Sequence, residues 1–220
     1  MTLNLIGPLV ANPAWMCGLL NTMIALDGPI TSIGSVSIEY FSPKPSEGLG
    51  DRTTADVLIH AWRESVPIVI VVETKLGDRF NSRQVAISDK YLQVAQLWKS
   101  LDTPSRKLTS QLARVHALAE HVVRADYGPG YPARLLLVHH QDDPQANPIS
   151  DAYRAALTDA SIFRSASLAE FFRAMTVTAP GEAERRLVEA LARRYADLSQ
   201  SQAVWDEFLA TFSSRERSLG

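Results

Sequence analysis

Three ionisable residues, Asp56, Glu73 and Lys75, stand at the ends of two segments that the sequence predicts to be β-strands. Ala55 to Trp62 alternates as a strand does, and a continuous β-branched run leads into Glu73. A turn within residues 63–67 would join the strands as an antiparallel hairpin; centred between residues 64 and 65, it sets Asp56 opposite Glu73. Lys75 lies two residues beyond Glu73, so it points to the same face. The spacing predicts two carboxylates and one ammonium side by side.

Such a grouping is costly to bury, and it suits chemistry on phosphodiester bonds. Carboxylates held about 4–5 Å apart can bind Mg²⁺ or Mn²⁺, and the carbonyl of Thr74, between Glu73 and Lys75, is a natural further ligand. A bound metal would offset phosphate charge and activate a water, which Lys75 could orient or help to deprotonate. Glu39, on the preceding predicted strand, is a candidate for another carboxylate. The alternatives are an exposed salt-bridged patch at a sheet end and, for Glu39, an ordinary solvent-facing residue.

The remaining elements predict an α/β fold: a central mixed β-sheet flanked by α-helices, with a helical C-terminal third. Besides the hairpin, strands are predicted at 36–41 and 134–139, with a short edge strand at 161–163. Periodic apolar residues, with Asn12 and the pair Ser167 and Glu170 as capping signals, predict helices. The predicted helices cover residues 12–26, 109–124, 148–157, 182–198 and 202–212. Another helix is predicted after Ser167, and one from Asn81 carries Val85, Tyr91, Leu92, Ala95 and Trp98. No linker or repeat stands out, so a single domain over 1–220 is expected.

Composition and charge exclude several classes of protein. The chain has 22 basic and 24 acidic residues and a net charge of -2, which excludes a generally basic nucleic-acid coat. Its single cysteine excludes a disulfide framework and a Cys-rich zinc module. No Walker loop, Gly-x-Ser-x-Gly elbow or His-Glu-x-x-His occurs. No apolar run approaches the ~20 residues of a membrane span, and the N-terminus lacks the basic flank of a signal peptide. A cytoplasmic protein that does not bind membranes is expected.

A basic segment runs from Arg79 to Arg114. It holds seven basic residues and two acidic ones, Asp89 and Asp102. Its net charge is therefore +5, whereas that of the whole chain is -2. Such a segment could contact the phosphates of a nucleic acid, although a pair of ordinary solvated helices has the same composition. The candidates for nucleic-acid binding are Arg79, Arg83, Lys90 and Arg114.

The pattern of an Asp on one strand followed by Glu-x-Lys on the next resembles the PD-(D/E)XK nuclease superfamily. More closely, several segments resemble a bacterial restriction-endonuclease-like family. These are Ile38-Glu39-Tyr40, Arg52-Thr53-Thr54-Ala55-Asp56, Val72-Glu73-Thr74-Lys75, Gln111-Leu112-Ala113-Arg114, Tyr153-Arg154 and Arg193-Arg194-Tyr195. The resemblance covers Asn4 to about Leu198. One departure is Ala55, where the superfamily often has a proline before the catalytic Asp.

The resemblance implies the restriction-endonuclease-like fold and a Mg²⁺-dependent (or Mn²⁺-dependent) endonuclease acting on DNA, with RNA as the nearest alternative substrate. Asp56 and Glu73 would hold the metal and Lys75 would serve the attacking water. Glu39 and Gln111 are further catalytic candidates. In this fold a polar residue on the helix of Gln111 commonly approaches the scissile phosphate. The alternative for Gln111 is an ordinary solvent-exposed helix face. A nucleic-acid-binding or assembly module without turnover is the alternative from another class. The sequence leaves open whether the chain forms a homodimer.

Overall fold

A five-stranded mixed sheet, in the order β1-β2-β3-β6-β7, forms the centre of the computed structural model. The first three strands form an antiparallel meander, and β6 and β7 continue it in parallel with β3. The strands are β1 (Ser32–Phe41), β2 (Thr54–Arg63), β3 (Val66–Lys75), β6 (Ala133–His139) and β7 (Phe163–Ser167), with a separate two-stranded pair of β4 (Val85–Ala86) and β5 (Lys107–Leu108). The structure describes residues 2–42, 44, 47–75, 80, 85–100, 107–108, 110–197 and 199.

Helices cover both faces of the sheet, so two apolar cores lie on either side of it. One face packs against α1 (Thr2–Val10), α2 (Pro13–Met23), α6 (Leu168–Thr178) and α7 (Glu182–Tyr195). The other packs against α3 (Asp89–Leu92), α4 (Gln111–Tyr127) and α5 (Ala146–Ala156). This arrangement confirms the predicted α/β fold. The single domain over 1–220 also concerns residues outside the described ranges, and it stays a prediction.

The capping residues identified in the sequence begin their helices as expected. The Asn12 side chain accepts a hydrogen bond from the Trp15 amide at the start of α2, and Ser167 and Glu170 form a reciprocal capping box at the start of α6. No single helix in the described ranges is long and apolar enough to span a membrane. Helices α1 and α2 pass that test only as a pair, and the pair is bent by 116° at its break.

The hairpin has the predicted register. Val57 pairs with Val72 and Leu58 with Val71, which places the turn between residues 64 and 65. The side chains of residues 67–73 are buried in β3, as expected for a strand covered on both faces. Asp56 and Glu73 therefore lie at the same end of the hairpin, each one residue beyond the paired residues Val57 and Val72.

The structure differs from the predicted elements in three places. Helix α1 was not predicted; it contains Pro8, and it is held by the burial of Leu5, Ile6 and Leu9 rather than by helix propensity. The helix predicted from Asn81 is wrong in its described part: β4 lies at 85–86, followed by the short α3 and a 3₁₀ turn at 95–97. The predicted edge strand at 161–163 lies later, at β7. Residues 81–84 and the helix predicted at 202–212 lie outside the described residues.

Helix α4 carries His116, which is 0% exposed. Its Nδ1 lies 2.8 Å from the Tyr153 hydroxyl oxygen, and its Nε2 has no hydrogen-bond partner within the described part of the chain. Burial, with a smaller contribution from the charge of Arg134, lowers the pKa of His116 to about 3. The folded chain therefore keeps this histidine neutral over most of the acidic range.

We expect this neutral histidine to make the fold sensitive to acid. In the unfolded chain a histidine binds its proton near pH 6.5, so stability is lost as the pH falls from there towards about 3. The loss at pH 5 should be about 2 kcal/mol, at about 1.4 kcal/mol per pH unit. Urea denaturation of the parent and His116→Gln at pH 7.5 and pH 5 measures it. Between these pH values the free energy of unfolding of the variant should fall by about 2 kcal/mol less than that of the parent. Equal decreases would contradict the assignment.

Candidate active site

Glu73 is the most deeply buried of the three ionisable residues. It ends the buried run of β3 on the α4 side of the sheet, and its side chain is 1% exposed. Its Oε1 accepts hydrogen bonds from Lys75 Nζ at 2.8 Å and from Gln111 Nε2 on α4. Its Oε2 is buried and has no hydrogen-bond partner among the residues that the structure describes. One oxygen of this carboxylate is thus held by two side-chain hydrogen bonds, and the other accepts none from the described residues.

The charge of Glu73 is destabilised by its surroundings in the fold. Burial and then the negative charge of Asp56 raise the pKa of Glu73 to about 7, although Lys75 opposes the shift. A carboxylate in this state gains from any additional positive charge brought to its open oxygen.

Asp56 is half-buried at the start of β2 and contacts the peptide that follows Glu73. Its Oδ2 accepts hydrogen bonds from the Thr74 amide at 2.7 Å and from the Thr74 hydroxyl at 2.6 Å. Strand alternation breaks at this point, because Ala55 packs in the core of the α4 face while Val57 packs in the opposite core. The Asp56 carboxylate therefore bonds to Thr74 and does not lie directly opposite the Glu73 carboxylate. It is still close enough for its charge to raise the pKa of Glu73.

Lys75 completes the group. It is 6% exposed, its Nζ forms an ion pair with Glu73, and the same Nζ lies 5.9 Å from the centre of the Phe80 ring. The alternative of an exposed salt-bridged patch does not describe this pair, since both partners are buried. A buried ion pair gains little net stability, because removing its charges from water offsets their attraction.

The carboxylates fit a divalent cation in one specific respect. The hydrogen bonds to Asp56 go to Oδ2 and those to Glu73 go to Oε1, which leaves Oδ1 and Oε2 without donors among the described residues. Oxygen ligands are those that Mg²⁺ and Mn²⁺ prefer. The described ranges hold no group of three or more His, Cys, Asp and Glu side chains that could bind a metal ion. The Thr74 carbonyl as a ligand stays a prediction.

Glu39 lies on β1 beside Asp56. The pairs Ile38–Val57 and Tyr40–Ala55 flank it, which places it across from Asp56 in the register. Glu39 is exposed and has φ of 54°, a left-handed conformation that costs a non-glycine residue of the order of 1 kcal/mol. Its role as a third carboxylate stays a prediction.

Of the four candidate basic residues, the structure describes Lys90 and Arg114. Lys90 is half-buried on α3, and Arg79 and Arg83 lie outside the described residues. Arg114 differs from the expectation of a solvent-facing residue: it is 4% exposed, because α4 is covered around most of its circumference. Its charge acts on buried Tyr91, where it opposes the rise that burial causes in the pKa of the phenol. The role of Arg114 in nucleic-acid binding stays a prediction.

Sequence reasoning missed the polar contacts that hold the chain leading into Asp56. Asp51 accepts hydrogen bonds from the Thr53 amide at 2.7 Å and from the Tyr91 hydroxyl at 2.6 Å, and Ser88 donates to the Leu49 carbonyl at 2.7 Å. It also missed Thr2, whose Oγ1 lies 3.2 Å from Thr74 Oγ1. The Asp51 to Thr53 spacing is a local turn signal. The other contacts join distant elements, and no sequence signal pointed to them.

A comparison with protein families assigns the fold and the site to one class. The model of the PD-(D/E)XK nuclease superfamily matches residues 1–197. The chain therefore belongs to this superfamily, as the motif around Asp56, Glu73 and Lys75 predicted. Comparison with curated proteins and with solved structures gave no significant match. Membership implies a nuclease and a nucleic-acid substrate, and nucleases of this superfamily generally use divalent metals.

Proposed function

We propose that the chain is a Mg²⁺-dependent (or Mn²⁺-dependent) endonuclease that hydrolyses phosphodiester bonds in DNA. The observation that carries the proposal is the pair of carboxylates that each bond to the protein through one oxygen and leave the other without a donor from the described residues. A site built only for stability would satisfy both oxygens of a carboxylate that is 1% exposed. DNA is preferred to RNA on the resemblance to restriction-endonuclease-like proteins.

Each residue then has a separate role. Asp56 and Glu73, with the Thr74 carbonyl, would hold the metal, which supplies positive charge at the scissile phosphate when it is bound. Gln111 donates to Glu73 Oε1 and fixes the rotamer that leaves Oε2 open. Lys75 lies beside this carboxylate, with its Nζ 2.8 Å from Glu73 Oε1, and would orient the attacking water or help to deprotonate it. Glu39 would hold water or the metal from the β1 side.

A cleavage assay tests the proposal directly. The purified chain is incubated with linear DNA, closed circular DNA and RNA, each with Mg²⁺, Mn²⁺ or EDTA. We expect metal-dependent cleavage of DNA, including the closed circle, and no cleavage in EDTA. Sedimentation of the active preparation shows whether a homodimer is the active species. Binding of DNA without cleavage under any condition would instead favour a module that has lost turnover.

We expect the basic segment to supply phosphate contacts through Arg79, Arg83 and Lys90. Changing all three to Gln should weaken DNA binding for all sequences alike, because phosphate contacts carry no base information. The slope of log affinity against log salt should fall by about 3, roughly one per contact. A matched triple change of Arg173, Arg185 and Arg186 to Gln on α6 and α7 controls for net charge. Equal effects of the two triple variants would show that DNA does not follow the basic segment.

A further inference from the structure

A chain of two hydroxyl groups runs from the first residue of α1 to the carboxylate of Asp56. Thr2 Oγ1 lies 3.2 Å from Thr74 Oγ1, and Thr74 Oγ1 donates to Asp56 Oδ2 at 2.6 Å. Thr2 is buried, and Thr74 and Asp56 are half-buried. These three side chains come from α1, β3 and β2, so the contact joins the helix layer to the hairpin of the candidate site.

The chemistry of the groups fixes the direction of this chain. An ionised carboxylate can only accept, so the Thr74 hydroxyl proton is used in the bond to Asp56. Thr74 Oγ1 must then accept from Thr2, although either could donate by geometry alone. The order is Thr2 to Thr74 to Asp56, and each bond polarises the next.

The Thr74 bonds decide how Asp56 is presented. Its amide and hydroxyl both reach Oδ2, so the carboxylate is held by two donors from one residue, and Oδ1 has none from the described residues. Bonds of 2.6–2.7 Å to a charged acceptor are the short, strong type. Rotation of the carboxylate would break both together. The amide is available whichever side chain stands at 74, but the hydroxyl is not.

We propose that Thr74 is a positioning residue whose hydroxyl, itself oriented by Thr2, holds the Asp56 carboxylate in the rotamer that exposes Oδ1 to a divalent cation. This deepens and rests on the proposed function, since it concerns the same metal site. Side chains that orient metal ligands typically contribute about 10- to 100-fold to metal affinity.

The test is a titration of the full chain with Mn²⁺, followed by calorimetry or by electron paramagnetic resonance. Thr74→Val removes the hydroxyl but keeps the shape, the amide and the carbonyl; Thr74→Ser keeps the hydroxyl. We expect Thr74→Val to weaken Mn²⁺ binding by about 10-fold or more and Thr74→Ser to restore it to near the parent value. Thr2→Val should cause a smaller loss. Thr22→Val, on the exposed side of α2, serves as the matched control and should bind Mn²⁺ as the parent does.

The outcomes separate this inference from the function on which it rests. Parent-like Mn²⁺ affinity in Thr74→Val, with binding lost in Asp56→Asn, would overturn the inference alone. A loss in Thr74→Val that Thr74→Ser does not restore would also overturn it, since the hydroxyl would not be the cause. A parent that shows no saturable Mn²⁺ binding would overturn the inference together with the proposed metal site. Melting temperatures measured in EDTA show whether each variant folds.

Discussion

Glu73→Gln and Asp56→Asn should each slow DNA cleavage by at least ~10³-fold while the chain remains folded. Each change removes one ligand charge from the site, and a metal that contributes several kcal/mol to the transition state corresponds to such a factor. Glu73→Gln should not lower the melting temperature in EDTA at pH 8. Burial opposes ionisation of Glu73 there, and an amide of the same shape relieves that cost, offsetting the lost charge attraction to Lys75.

Single-turnover cleavage with saturating Mn²⁺ measures the rates, and thermal unfolding with and without Mn²⁺ measures the site. Mn²⁺ should raise the melting temperature of the parent and not that of either variant. Asp126→Asn is the matched control, because Asp126 is an exposed aspartate at the end of α4, beside His60. A cleavage rate in either site variant equal to that of the parent would rule out the assignment of the metal ligands.

Lys75→Ala should slow cleavage by about 10²-fold or more, the usual contribution of a general acid or base. The ammonium is buried and bonded to Glu73 Oε1, so it is held at the carboxylate rather than free to sample solvent. Removing it leaves the hydrogen bond from Gln111 in place, and the pKa of Glu73 should rise further because the opposing charge is gone. Metal binding should therefore weaken at neutral pH and recover at higher pH.

Cleavage at saturating Mn²⁺ separates the two effects of Lys75→Ala. A rate defect that persists when the site is fully loaded belongs to Lys75 itself, while one that disappears belongs to metal affinity. Lys75→Arg should not restore the rate, because a guanidinium stays protonated and its planar fork does not replace an ammonium. Full activity in Lys75→Arg would show that positive charge alone is required.

The hairpin was predictable because its signals are local. The β-branched run ending at Glu73 indicates a doubly covered strand, and the short turn fixes the register that places Asp56 near Glu73. The side chain of Asp56 was not predictable in the same way. Alternation would set it beside Glu73, but the chain departs from alternation between Ala55 and Val57 and turns the carboxylate to Thr74. A periodicity argument cannot detect such a local departure.

Long-range pairing explains the remaining differences. Apolar spacing from Val85 to Trp98 fits a helix, yet residues 85–86 pair with residues 107–108 across a long separation, and such pairing overrides local propensity. Arginine is a residue type that usually faces solvent, but Arg114 is buried, because α4 is covered around most of its circumference. Both outcomes depend on contacts between segments that are distant in the sequence.

The position of β3 between β2 and β6 also has a consequence for how the chain folds. The contacts of β3 with β2 close through a turn of two residues, whereas those with β6 require the whole crossover that contains α4. Short loops close faster and at lower entropic cost than long ones. We expect the hairpin, and with it the approach of Asp56 to Glu73, to form first. The bond from Gln111 to Glu73 then closes only when the crossover is complete.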